Sequence, residues 1–258
     1  MGIHIIVCIK SVVLDAPDGR VVRLPETCAL NPFDRPALEM ALRLRNEYGG
    51  KVTALSMGPE SGIIALDEAM AMGVDRVVLV SDPALAGSDT LITSMTLEAA
   101  ARKLKPFDLI LFGARTSDSD TGQVGPQTSM RLDLPLVTGV YSLSMKDSML
   151  NVERRIDEYI EKYEVKLPAA LTIHPSVADV RDPTLIGIET AFIGRSFEIL
   201  SLSDLGLSSD KVGEMGSPTK VISMNRITRK RKCEFITGSA EEQVDDLVRR
   251  LKESGYIG

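Results

Sequence analysis

The stretch Asp108-Leu-Ile-Leu-Phe112, followed at once by Gly113-Ala-Arg-Thr-Ser-Asp-Ser-Asp-Thr-Gly-Gln-Val-Gly125, decides the fold. Its first half is a short apolar run, which reads as a strand buried on both faces. Its second half is a loop of Gly, Ser, Thr and Asp that opens a helix ending near Leu132. Strand, polar loop and helix in that order make half of a βαβ unit. The same rhythm precedes it. Residues 3–9 form a first apolar strand, and Asp34 stands as N-cap of a helix with Leu38, Ala41 and Leu42 on one stripe, stopped by Gly49-Gly50. Residues 52–57 give a second strand, Gly58-Pro59 opens a second helix ending at Gly73, and residues 75–80 give a third strand. Ser88 or Asp89 caps a third helix that Pro106 stops. Repeated alternation of this kind predicts an α/β chain with a doubly wound, mostly parallel sheet and helices on both faces.

After Leu136 the rhythm changes. Residues 149–152 and 159–165 alternate and read as an antiparallel pair at the sheet edge, and residues 166–173 return as a core strand. Residues 174–191 read as irregular, and residues 195–218 as an extended arm. Earlier in the chain, Pro17, Asp18 and Gly19 signal a turn, with Val21-Val22 as a hairpin return. Ser239-Ala-Glu-Glu242 is a capping box, and Val244, Leu247, Val248 and Leu251 give the last helix an apolar stripe. The expected division is residues 1–194 as a nucleotide-binding domain and 195–258 as a C-terminal arm and helix.

Composition narrows the function. With 44% hydrophobic and 26% charged residues, the 258-residue chain suits a globular protein with a large core. No apolar run reaches about 18 residues, so no spanning helix is expected. Residues 1–10 lack a basic n-region and a cleavage site, and read as a strand rather than a signal peptide. A net charge of −6 disfavours nucleic acid. Cys8, Cys28 and Cys233 are too scattered for a disulfide framework and fit a reducing, cytoplasmic setting.

Ligands of open α/β sheets bind beyond the carboxyl ends of the strands. The loop 113–125 stands there, with hydroxyls on Thr116, Ser117, Ser119 and Thr121, a glycine at 122 for close backbone approach, and a helix N-terminus for an anion. The same composition also suits an ordinary βα connection. Asp118 and Asp120 suit either a cation or a cap and turn. His4 and His174 have no companions at metal-ligand spacing, and Cys8 reads as a small core hydrophobe. No arrangement of a catalytic nucleophile with a base is present, so no catalytic residue is assigned. The basic run Arg229-Lys-Arg-Lys232 suits an acidic partner, or a solvated face.

In order and spacing these segments resemble the beta subunit of electron transfer flavoproteins. The resemblance rests on Val7-Cys-Ile-Lys10, Asn31-Pro-Phe-Asp34, Ser56-Met-Gly-Pro59, Ala69-Met-Ala-Met-Gly-Val-Asp-Arg76, the loop around Asp118-Ser-Asp120, and Glu164-Val-Lys-Leu-Pro-Ala-Ala170. It implies a Rossmann-like domain in a heterodimer whose alpha subunit holds most of the FAD. It implies AMP in the beta subunit at Cys8, Asn31, Pro32, Phe33, Asp34, Met57, Gly113, Ala114, Arg115, Thr116, Ser117, Asp118, Ser119, Asp120, Thr121, Gly122, Gln123 and Val124. Phe33 matches an aromatic that approaches the flavin. Arg181-Asp-Pro-Thr-Leu185 stands where the family docks onto flavin dehydrogenases, which makes Leu185 the anchor with Arg181 and Thr184 beside it. A downstream oxidoreductase would then take the electrons.

One branch of the family binds a second FAD in place of AMP and bifurcates electrons from NADH. Its Pro-Asp-Thr motif after the first strand is replaced here by Ser11-Val-Val-Leu14, which favours AMP. Ala86-Gly-Ser-Asp-Thr90 resembles that branch. The rival from another class is a stand-alone adenine-nucleotide-binding protein of universal stress type, against which the long arm speaks.

Overall fold

The computed structural model describes residues 2–13, 24–146, 148–193, 197–223 and 233–258. The turn at 17–19, the return at 21–22, Arg195 and the basic run 229–232 lie outside the described residues. Two compact units emerge, Met1–Ile222 and Ser223–Gly258.

In the first unit β1 (Ile3–Cys8) is buried at every position. β2 (Ser11–Val13) and β3 (Cys28–Leu30) pair antiparallel as a small second sheet. They lead to α1 (Arg35–Tyr48), which ends on Gly49 at φ 72. β4 (Gly50–Met57) follows, then a 3-10 turn after Pro59 and α2 (Ile64–Met72), closed by left-handed Gly73. β5 (Arg76–Val80) precedes α3 (Thr90–Lys103), where the Asp89 carboxylate accepts from the Leu91 and Ile92 N–H groups as the N-cap. β6 (Leu109–Gly113) leads through the Ser/Thr loop to α4 (Val124–Leu132). β7 (Leu136–Lys146), β8 (Met149–Ile156), β9 (Tyr159–Lys166) and β10 (Ala169–Ile173) complete the left half. α5 (Leu185–Ile193), β11 (Glu198–Leu200), α6 (Leu202–Leu205) and α7 (Gly213–Gly216) end the unit.

Among the described residues the main sheet has nine strands in the order β11-β5-β4-β1-β6-β10-β7-β8-β9. All pairs are parallel from β11 to β7, and only β7–β8 and β8–β9 are antiparallel. β1 therefore lies centrally, with β4 on one side and β6 on the other. Its alternate residues feed two cores. Ile5 and Val7 pack with Leu38 and Leu42 of α1 and Leu66 of α2. Ile6 and Cys8 pack with Ile92 and Leu97 of α3 and Leu132 of α4. Helices thus cover both faces, as a parallel sheet requires.

Four details differ from the sequence reading. The antiparallel edge has three strands, because β7 pairs with β10 over its first half and with β8 beyond. Gly139, at φ 68, stands where the register shifts. Within residues 174–191, read as irregular, α5 begins at Leu185 and runs on to Ile193. Residues 195–218, read as an extended arm, include β11, which extends the sheet beside β5, and the first unit runs on to Ile222. Asp34 occupies the N-cap position of α1 without capping it, since its side chain makes no cap bond there.

The second unit holds α8 (Ala240–Glu253), with the capping box between Ser239 and Glu242 in place. No helix among the described residues is long and apolar enough to cross a membrane.

Candidate functional site

The chain leaves β1 for α1 on one face of the sheet and leaves β6 for α4 on the other. Neighbouring parallel strands whose exits diverge make a topological switch point, and a crevice opens above it. Cys8 and Gly113 close the two strands, with Met57 at the end of β4 beside them. Burial, aided by the nearby Asp34 carboxylate, pushes the Cys8 thiol well above its ordinary value, so it stays neutral and acts as a wall.

Two buried polar residues brace the crevice. Asn31 is fully buried, donates from Nδ2 to the Arg115 carbonyl at 2.9 Å, and accepts at Oδ1 from the Ser117 N–H at 3.2 Å. It thereby ties the segment before α1 to the loop after β6. The Asp34 carboxylate accepts the Lys10 N–H at 2.8 Å and is also bonded by the Gly113 N–H, so one side chain holds the exits of β1 and β6 together. Burial pushes its carboxyl up to about 7, against the opposing pull of these N–H groups, Asn31 and Lys10. A Cβ at Gly113 would lie 2.2 Å from Asp34 Oδ1, so only glycine fits that exit.

The loop itself is exposed and turned back on itself. The Asp120 N–H donates to the Thr116 carbonyl at 3.0 Å, and the Thr116 and Ser119 hydroxyls meet at 2.9 Å. Asp120 and Gly122 both have left-handed φ, 53° and 61°. The two loop carboxylates have cationic partners: Lys10 Nζ lies 2.7 Å from Asp118, and Arg115 lies 3.4 Å from Asp120. Arg115 also stacks over the Phe33 ring, 4.5 Å from its centroid, beside exposed Pro32. Val124 opens α4, whose first-turn N–H groups have no partner within the helix. Ala114, Thr121 and Gln123 complete the rim, and Thr90 Oγ1 donates to Gln123 Oε1 at 3.0 Å. All residues expected in the crevice, 8, 31–34, 57 and 113–124, thus stand at or around one strand edge. Lys10 and Thr90, quoted in the sequence only for the family likeness, also reach this rim. A lysine directly behind an apolar strand end was the available signal for the first, and the Ala86–Thr90 stretch for the second.

The residues expected to dock a partner lie elsewhere. Leu185 begins α5 rather than sitting in a loop, and it is 85% exposed. The Thr184 hydroxyl accepts the Gly187 N–H at 3.0 Å and so caps α5. The Arg181 guanidinium is bound to the buried Glu39 carboxylate. His4, for its part, is a core residue bridging the Pro106 carbonyl and the Thr53 hydroxyl.

A family model described as the electron transfer flavoprotein domain matches residues 20–191. The chain is 39% identical to the electron transfer flavoprotein subunit beta of Thermoanaerobacterium thermosaccharolyticum, with 98% of this chain and 100% of that protein covered. It is 37% identical to subunit CarD of the caffeyl-CoA reductase-Etf complex of Acetobacterium woodii over the same shares. It is 34% identical to the acryloyl-CoA reductase electron transfer subunit gamma of Anaerotignum propionicum, again 98% against 100%. Matches of this length, on a sheet with this switch-point crevice, show that the chain belongs to the electron transfer flavoprotein family, among its beta subunits.

Proposed function

We propose that the chain works as half of a heterodimer with an electron transfer flavoprotein alpha subunit. The pair carries electrons between a flavin-dependent dehydrogenase of acyl-CoA type and a downstream oxidoreductase. The chain is not an independent catalyst. The names of two relatives, from caffeyl-CoA and acryloyl-CoA reductase assemblies, support a CoA-thioester oxidoreductase as a partner. FAD held mainly by the alpha subunit supplies the electron exchange when bound. Phe33, steadied by Arg115, covers that flavin from the beta side.

The crevice takes an adenine nucleotide. One arrangement carries this reading: a left-handed Gly122 leads into the head of α4, whose Val124 and Gly125 N–H groups are open to an anion, in the loop that leaves β6 at the switch point. The chemistry fits a phosphate, because Lys10 and Arg115 neutralise the two loop carboxylates that would repel it. Cys8 and Met57 offer an apolar wall for the base. AMP matches the sequence expectation. The Thr90–Gln123 hydrogen bond favours the second reading, a second FAD and a bifurcating complex. It brings the Ala86–Thr90 stretch, which resembles the bifurcating branch, to the rim beside the head of α4.

The test is to purify the heterodimer, release its nucleotides with acid and count them. AMP with one FAD supports the first reading, and two FAD without AMP supports the second. One FAD and no further nucleotide would refute an adenine nucleotide in the crevice. Gly122→Val should lower the beta-subunit nucleotide several-fold while the alpha-subunit flavin stays reducible. A β-branched residue is strained at φ 61, and its Cβ would meet the Ala114 carbonyl at 3.2 Å.

A further inference from the structure

Glu39 stands in the second turn of α1 among apolar neighbours and is 2% exposed. A carboxylate there costs desolvation that a leucine would not, so its partners must account for it. Those partners belong to the segment that follows β10. Arg181 Nε donates to Oε2 at 2.6 Å, Nη2 to Oε1 at 3.2 Å, and the Arg181 backbone N–H to Oε2 at 3.3 Å. Arg43, one turn further along α1, donates from Nε to Oε1 at 2.6 Å and from Nη2 to the Asp179 carbonyl at 3.0 Å. Burial alone would raise the Glu39 carboxyl, but these hydrogen bonds outweigh it and hold it below its ordinary value.

The strap 174–184 forms no helix or strand of its own, and this ion cluster, with Val177 and Val180 packed against the core, fixes its course. The strap delivers α5, nine residues long and too short to stand alone in water. Of those nine, Ala191 alone is buried. Gly187 lets α5 lie against the end of α2, since a Cβ there would fall 2.2 Å from the Ala71 carbonyl oxygen. Leu185, Ile186, Phe192 and Ile193 are left 85%, 76%, 58% and 78% exposed.

We propose that Glu39 is a positioning residue for partner docking, fixing through Arg181 the strap that sets α5 and its apolar face in place. The inference rests on the reading of α5 as the docking face. It also gives Arg181 a role inside the subunit instead of a docking charge.

Two variants of the heterodimer test it. Arg181→Met leaves Glu39 paired with Arg43, and Glu39→Gln removes the charge at the centre. In both, hydrogen exchange of the α5 amides should quicken about tenfold, because a lost charge-assisted bond raises the population in which α5 is displaced. Exchange in β1 and β6 and the nucleotide content should not change. With the acyl-CoA dehydrogenase that reduces the wild-type flavin, KM should rise by the reciprocal of the docking-competent fraction that remains, and kcat stay within about twofold. Arg181→Lys should recover part of both effects. Wild-type exchange in α5 for both variants would overturn the proposal. Leu185→Ala separates the two readings. If it raises KM while Arg181→Met does not, the docking face stands and the role of Glu39 falls. If it leaves KM unchanged, the docking reading itself falls, whatever the exchange shows.

Discussion

α5 and α8 both turn apolar side chains to solvent, yet they are helices for opposite reasons. α8 is specified by its own residues. Ser239 and Glu242 close a capping box, Glu241 and Glu242 stand in the first turn, and Arg250 and Lys252 in the last. Asp246 pairs with Arg250, and Arg249 with Glu253, each four residues apart. None of its residues is buried. α5, Leu185-Ile-Gly-Ile-Glu-Thr-Ala-Phe-Ile193, has the reverse character. It contains a glycine and three isoleucines, carries no basic residue in its last turn, and would score poorly as a helix by propensity. Its cap comes from Thr184, and its place from Gly187, Ala191 and the Arg181–Glu39 cluster. Local chemistry writes one helix and tertiary contact writes the other.

The strongest way to break this contrast is to spoil the seat of α5. Gly187→Val would put a side chain into the Ala71 carbonyl, where the backbone cannot give. Urea unfolding of the heterodimer should show a loss of about 3 kcal/mol or displacement of α5, as overpacking against backbone does. Val244→Ala in α8, at a site 59% exposed, should leave the same transition in place. Equal stability of the Gly187→Val complex, with unaltered α5 exchange, would show that α5 needs no seat.

A middle-sized effect is expected at the cap of α8. Ser239→Ala removes the hydroxyl that accepts the Glu242 N–H, at a cost of about 1 kcal/mol in local helix stability. Amide exchange within α8 should quicken about fivefold, the equivalent of that energy, while α5 keeps its wild-type rates. If α8 shows no change, its stability comes from contacts with another surface, and the contrast with α5 weakens.

The same distinction explains what could be read from the sequence. The strand–helix alternation from β1 to α4, Asp89 as a cap, Gly73 as a stop and the box at Ser239 were legible because each signal is local. The switch point between β1 and β6 was legible too, since apolar strands followed by Gly- and Ser-rich loops mark it. α5 was not legible, because its pattern has no helical stripe and no charge order. β11 escaped for a related reason: three residues, Glu198-Ile-Leu200, become a strand only through pairing with β5. Asp34 has the composition of a cap, but Lys10 and Gly113, distant in sequence, claim its carboxylate. Nothing local marks Glu39 of α1 as buried.

The smallest effects come from charge, and they sharpen the contrast most cleanly. The Glu39 carboxyl is held below its ordinary value because the hydrogen bonds from Arg181 and Arg43 outweigh burial. A lowered carboxyl contributes stability that is fully present above the unfolded value, 4.5, and is lost as the pH falls through the folded one. From pH 8 to pH 6, α5 exchange corrected for intrinsic chemistry should therefore stay flat, and it should quicken only below pH 4.5. Salt separates the helices at neutral pH. The α8 pairs are exposed, so ions at a Debye length of about 3–5 Å should screen them and raise α8 exchange slightly. The Glu39 side chain is 3% exposed, against 34% for Arg181 and 49% for Arg43, so this cluster is screened less than the α8 pairs. α5 should thus respond less to salt than α8 does. A rise in α5 exchange equal to that of α8 between 0.05 M and about 0.5 M salt would mean that its ion cluster is open to water, and that the seat of α5 rests on Gly187 and Ala191 alone.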